Sequence, residues 1–272
     1  MDVTALRQQA QEIRADIIDM IAQAGSGHPG GSLSSVEILS ALYLGGILDH
    51  HPADAGVPRD RFILSKGHAA PVLYATLAQA GYLPREELAT LRQYGSRLQG
   101  HPSRLELPSC VEVSTGSLGQ GLSVGAGLAL GLRDNGEDSQ VFVLLGDGEM
   151  QEGQVWEALL FAAHHHLGNL VAILDHNTLQ IDGPNDEVES LGDIRAKAEA
   201  FGWRYLECDG HDLAELLSVL GQAKAYADGP VFVRARTVKG KGVSFMEGQA
   251  GWHGKAPDAA QTEQALAEIK GA

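Results

Sequence analysis

Two short apolar runs, Val141-Phe142-Val143-Leu144-Leu145 and Leu170-Val171-Ala172-Ile173-Leu174, constrain this chain more than any other feature. A strand with one wet face alternates apolar and polar side chains. A run with no alternation reads as a strand buried on both faces, which is the situation of a parallel sheet covered by helices on each side. Residues 156–166, between the two runs, have helical composition and length. Residues 203–208 and 231–235 supply two further runs, with a helical stretch over 211–227 separating them. Strand, helix, strand, repeated, requires right-handed crossovers. The expected fold is α/β, a parallel sheet with helices on both faces. No internal repeat and no linker rich in proline, serine or charge cuts the 272 residues, so a single domain over 1–272 is expected.

The first half is helical in pattern. Leu6, Ala10, Ile13, Ile17, Ile21 and Ala24 recur every three or four residues and mark an amphipathic opening helix that stops at Gly25-Ser26-Gly27. Residues 36–44 and 69–80 read as two more helices. Residues 121–132 read as a helix of small side chains suited to close packing against a neighbouring backbone, and a short helical tail ends the chain. The glycines of that segment do not follow the G-x-G-x-x-G spacing, and no strong buried strand leads into them, which argues against a dinucleotide site.

Charge excludes some partners. Lys and Arg number 20 against 35 Asp and Glu, a formal charge of -15. Such a field repels nucleic-acid backbones and anionic lipid, so neither nucleic acid nor a membrane is an expected partner. An anionic ligand needs local compensation from backbone N–H groups, a metal or a few aimed cations. The N-terminus lacks a basic region followed by an apolar core, and no apolar stretch approaches a membrane span. Two cysteines, Cys110 and Cys208, are too few for a disulfide scaffold and read as inert small side chains. A cytoplasmic location is expected.

The segment that points to chemistry is Gly146-Asp147-Gly148, directly after the first apolar run. In open α/β sheets, ligands sit beyond the carboxyl ends of the strands. Glycines flanking an acid there let the backbone approach a ligand while the carboxylate points at it. The next strand ends in Asp175-His176-Asn177, so Asn177 reaches the same edge after one crossover. A carboxylate and an amide oxygen make a hard oxygen site, which suits Mg²⁺ when phosphate oxygens complete an octahedron. The pair therefore predicts a divalent metal holding a diphosphate.

Gly146-Asp147-Gly148 followed by Asn177 resembles the thiamine-diphosphate motif, and the surroundings resemble transketolases in particular. The matching segments, in order along the chain, are Ser26-Gly27-His28-Pro29-Gly30, Ser65-Lys66-Gly67-His68, Gly100-His101-Pro102, Thr115-Gly116-Ser117-Leu118-Gly119-Gln120-Gly121, Gly146 through Gly153, Lys239 through Phe245, and Trp252-His253-Gly254. The sequence departs at His176, where many relatives carry Asn or Asp.

The resemblance implies thiamine diphosphate with Mg²⁺, or Ca²⁺ or Mn²⁺ in its place. Asp147 and Asn177 would bind the metal through side chains and Leu179 through its carbonyl. Gly116, Ser117, Leu118, Gly146, Gly148 and Glu149 would surround the cofactor. His68 and His253 would contact the diphosphate and reach the reacting centre, and His28 and His101 would line the sugar channel. Imidazoles suit such work because they donate, accept and shuttle protons near neutral pH. Glu152 resembles an acid placed between subunits; it also fits a first-turn glutamate favouring the helix dipole. Lys241 fits a cation closing over the cofactor or a solvated loop lysine. His164-His165-His166, on successive helical positions, point apart and cannot chelate one metal together.

The resemblance covers only the diphosphate-binding domain of a transketolase, without the domain that holds the cofactor's aminopyrimidine. This implies the N-terminal subunit of a split transketolase. Such a protein transfers two carbons from a ketose phosphate to an aldose phosphate, and does so only with a C-terminal subunit, in an α2β2 assembly. Alternatives are a specialised sugar or sulfosugar transketolase, a deoxyxylulose-type synthase, a 2-oxo acid dehydrogenase E1 subunit, or a scaffold that binds the cofactor without catalysis.

Overall fold

A computed structural model describes residues 2–271. Its centre is a five-stranded, wholly parallel sheet: β1 (Arg61–Leu64), β2 (Val141–Gly146), β3 (Leu170–His176), β4 (Arg204–Asp209) and β5 (Val231–Arg236), in the order β1-β2-β3-β5-β4. Every residue of β2 is buried, as its unbroken apolar run predicts, and the same holds for β3 up to Asp175. β4, at the edge, is only partly buried. β1 is the strand that periodicity missed. Only four residues long, it follows Arg59-Asp60, whose charges mask it; those charges are spent in pairs, Arg59 with buried Glu112 and buried Asp60 with the part-exposed Lys224.

Alternating strand residues feed two cores. Phe142, Leu144, Val171 and Ile173 face helices α1 (Val3–Ala24), α3 (Val36–Leu39), α4 (Ala70–Gln79) and α9 (Leu213–Ala225). Val141, Val143, Leu145, Ala172 and Leu174 face α5 (Gln120–Asp134), α6 (Gly153–His164) and α8 (Ile194–Ala200). Helices therefore cover both faces. Between α1 and α3 lies α2 (Pro29–Leu33), with Pro29 in its first turn; α7 (Asn185–Val188) and the C-terminal α10 (Ala259–Gly271) complete the set.

The helix expected over 36–44 is in two parts: α3 runs into a π-helical segment, Ser40–Leu44. The small-residue helix α5 packs as closely as its composition predicts. A Cβ built on Gly121 would lie 2.3 Å from Ser65 Oγ, and one on Gly125 would lie 2.5 Å from a methyl of Val143. Asp2 caps α1 through a bond from Thr4 N, and Gly25 ends it in the left-handed conformation. No described helix is long and apolar enough to cross a membrane.

Candidate active site

A cleft of about 650 Å³ opens at the carboxyl ends of β2 and β3. Parallel pairing places Gly146 beside Asp175, so the turn after β2 and the end of β3 deliver Asp147 and Asn177 to one rim. Among the residues expected at the site, His68, Leu118, Gly146, Asp147, Gly148, Glu149, Asn177, Leu179 and His253 line this cleft.

Asp147 is buried. Its Oδ1 accepts from Gly148 N at 2.9 Å, and its Oδ2 has no partner. Burial foremost, then the nearby Asp175 carboxylate, push its pKa up to about 6. A carboxylate kept in that condition is short of a cation. Asn177, also buried, turns its Oδ1 back to accept from Leu179 N at 3.2 Å. The Leu179 carbonyl takes a bond from Lys239 Nζ at 3.2 Å. One orphaned carboxylate oxygen, an amide oxygen and a carbonyl converging on one rim form the donor set a hard divalent cation takes.

Beneath the rim, Lys66 reaches from the β1–α4 connection to Asp175, and both are buried. Lys66 Nζ also donates to Gly31 O at 2.9 Å and Ser35 Oγ at 3.1 Å. Asp175 accepts from Ser34 Oγ at 2.6 Å, Ser35 Oγ at 3.0 Å and Thr237 Oγ1. Burial alone would raise the Asp175 pKa. Lys66 and these hydrogen bonds outweigh it and hold the carboxyl below its usual range. His176, one residue on, falls on the opposite face by strand alternation and accepts from Arg234 Nε at 3.1 Å. The residue at 176 therefore does not line the cleft.

Three imidazoles cluster together, of which His68 and His253 line the cleft and His28 packs beside them. His28 lies edge-on to His68 and His253, with ring centroids 5.2 and 5.4 Å away, and His68 is 5.0 Å from His253. Lys239 Nζ lies 3.0 Å from His253 Nδ1. An ammonium only donates, so that nitrogen accepts and the ring proton sits on Nε2. Burial first, then Lys239 and the neighbouring rings, push His253 down to about 3, and burial with Arg92 pushes His28 to about 4. His68 is lowered well below its ordinary value by burial and Lys66. All three rings are neutral at pH 7. Burial lowers Lys239 to about 8, so it stays mostly charged there.

The other expected residues lie around the cleft. His101, exposed, covers Gly116: a Cβ on that glycine, at φ 143°, would come 3.0 Å from the imidazole. Gly67 lets the loops close, since a Cβ there would sit 2.6 Å from Thr115 Oγ1 and 2.8 Å from Gly116 N. Ser117 is exposed at the start of the turn into α5. Glu149 turns its carboxylate inward, with Oε1 accepting from Gly119 N (3.0 Å) and Ser65 Oγ and Oε2 from Gly146 N (2.9 Å), so it ties three loops together. Glu152 is the exposed N-cap residue that precedes α6, makes no side-chain cap bond and does not line the cleft. Lys241 does not close over the site. It pairs with Glu247 at 3.3 Å, and the lysine two positions earlier lines the cleft instead. The His164–His166 run ends α6, with His166 at φ 50°.

Sequence reasoning did not single out Lys66, Lys239, Gly31 or Ile181. Both lysines stand inside the quoted motifs, but nothing in a linear motif shows that an ammonium is buried. Ile181 is 66 % exposed on the rim, an apolar side chain facing the cleft mouth.

A parallel α/β sheet with this donor set, two lysines and a cluster of neutral imidazoles defines a site for an anionic cofactor held with a divalent metal. The transketolase family profile, described as the thiamine diphosphate binding domain, matches residues 6–270. An apulose-4-phosphate transketolase subunit from Phocaeicola vulgatus is 40% identical over 269 residues, covering 99% of this chain and 95% of that protein. The 6-deoxy-6-sulfo-D-fructose transketolase subunit of a Clostridium species is 40% identical over 97% of this chain and 96% of its own length. Human transketolase is 41% identical over 97% of this chain, which spans only 42% of it. The structure of Pichia stipitis transketolase with sedoheptulose-7-phosphate superposes with a TM-score of 0.91 at 35% identity, over 97% of this chain and 40% of that one. The chain belongs to the transketolase family and is a thiamine-diphosphate-binding domain of it; the cofactor is thiamine diphosphate with a divalent metal.

Proposed function

We propose that this chain is the N-terminal, diphosphate-binding subunit of a two-chain transketolase, working in the cytoplasm within an α2β2 assembly and active only with a C-terminal subunit that carries the pyrimidine-binding domain. One observation carries the reading: the chain matches two proteins named as transketolase subunits over 95% and 96% of their length, but only 42% of single-chain human transketolase. Two buried, unpaired cysteines agree with a reducing compartment.

The donor set fits Mg²⁺ on Asp147, Asn177 and the Leu179 carbonyl. When bound, thiamine diphosphate supplies the electron sink for breaking and forming the carbon–carbon bond of a sugar. This chain's residues bind and orient. Gly116, Ser117, Leu118, Gly146, Gly148 and the region tied by Glu149 would surround the cofactor. His68 and His253 would meet the diphosphate side, and the protonated Nε2 of His253 offers a donor to an oxygen in the cleft. His28 and His101 would contact sugar hydroxyls. Glu152 would act between subunits, since it stands exposed and outside the cleft.

The reaction is transfer of a two-carbon ketol unit from a ketose phosphate to an aldose phosphate. A specialised sugar is the second reading, because two relatives of equal identity are named for apulose-4-phosphate and for a sulfosugar. Assay of the chain alone with thiamine diphosphate and Mg²⁺ should show no ketol transfer, and addition of the partner should restore it. Robust turnover by the chain alone would defeat the proposal.

A further inference from the structure

A second polar cluster lies outside the cleft and is used by none of the chemistry above. Glu37, buried on α3, binds two groups at once. Its Oε1 takes a bond from Arg14 of α1, and its Oε2 lies 2.9 Å from Nδ1 of His211, in the turn after β4. Both partners then seize one loop. Arg14 Nε donates to Lys241 O at 3.1 Å, and His211 Nε2 accepts from Val238 N at 2.8 Å. The backbone N–H can only donate, so Nε2 is unprotonated and Nδ1–H donates to Glu37, which fixes one neutral tautomer. Arg14 and His211 outweigh burial and hold Glu37 below its ordinary pKa, as an ionised acceptor.

The loop so held carries Lys239 between its two anchor points. Gly240 N adds a bond to Gly30 O at 3.0 Å, so the turn is fixed on both sides of the lysine. Lys239 in turn contacts Leu179 O and His253 Nδ1. The geometry points to Glu37, Arg14 and His211 as a clamp that positions Lys239, and through it His253 and the Leu179 carbonyl, for the cofactor. His211 is a positioning residue here and touches nothing in the cleft. The clamp rests on the functional reading above only for its affinity readout. Outer-shell partners of this kind are worth roughly 10–100-fold in affinity.

The test uses His211→Leu, which removes both bonds, and His211→Gln, whose amide can donate to Glu37 and accept from Val238 N. The chain is studied in complex with its partner subunit. Thiamine diphosphate affinity is measured at saturating Mg²⁺, alongside amide exchange and thermal unfolding. The Leu variant should bind about 10–100-fold more weakly and exchange faster at residues 237–243 with the sheet unchanged. The Gln variant should return to within about threefold of wild type. Should His211→Leu fail to fold, Glu37→Gln takes its place with the same readouts. Affinity within about twofold of wild type, unchanged exchange at 237–243, acceleration spread evenly over the sheet, or no rescue by Gln would each overturn the clamp. If wild type itself does not bind thiamine diphosphate, the functional reading fails, and local exchange alone decides the clamp.

Discussion

Lys66 and Asp175 form an ion pair with side chains 2% and 0% exposed, directly beneath the rim of the cleft. Asp175 is a β3 residue two positions before Asn177, and Lys66 follows β1, so one buried bond ties the outer strand's loop to the strand that leads into Asn177. Removing one partner leaves the other charge buried and unpaired. Lys66→Met should cost about 3–5 kcal/mol in denaturant unfolding. Adding Asp175→Asn to that variant should recover part of the loss, since no lone charge then remains. A double variant as unstable as the sum of the singles would contradict a coupled pair.

Asp147 sets function against stability. Its pKa is raised to about 6 by burial and by the nearby Asp175 carboxylate. Asp147→Asn should therefore stabilise the metal-free chain by about 1–3 kcal/mol at pH 7. The same variant should lose Mg²⁺-dependent cofactor binding in calorimetry. Asp147→Ala should lose it too.

Protonation of Asp147 should compete with the metal. For a raised carboxyl, the stabilising contribution is full below the unfolded value near 3.8 and lost as pH rises through about 6. The metal-free chain gains from acid through this group, and the metal needs the ionised form. Apparent Mg²⁺ affinity should fall roughly tenfold per pH unit well below about 6, with proton release on binding rising from about half a proton at that pH toward one as the pH falls further. Flat affinity from roughly pH 5 to 7 would refute the assignment.

His28 and His253 should govern part of the acid limb. Their pKa values lie at about 4 and 3, below the ordinary 6.5, so the stability they confer is present above 6.5 and lost as pH falls through 4 and then 3. Asn at both positions should flatten unfolding stability across that window. In the assembled enzyme His101→Ala should instead lower sugar turnover with cofactor affinity kept, because that ring does not line the cleft.

One substitution in α5 should change sign with position. Gly121→Ala drives a Cβ to 2.8 Å from the Ser65 Cα and should cost about 1–3 kcal/mol. Gly127 has open space around it, and Gly127→Ala should stabilise the isolated chain by about 0.5–1 kcal/mol. Thermal unfolding of the two variants checks both.

The sequence by itself determined the parallel sheet, because strands buried on both faces leave unbroken apolar runs at β2 and β3. It also determined that Asp147 and Asn177 line one cleft, since one crossover between parallel neighbours returns the chain to the same edge. The short strand β1 stayed hidden, because four residues behind Arg59 and Asp60 carry no periodicity and the charges are neutralised by distant partners. Which lysine serves the cleft was likewise undecided: Lys239 and Lys241 are equal in the motif, and only the folded loop turns one inward and the other to Glu247. The tertiary structure alone decided burial, and burial raises Asp147, silences the histidines and gives Lys66 its partner. Those effects depend on groups more than a hundred residues apart, such as Lys66 and Asp175, that no local pattern connects.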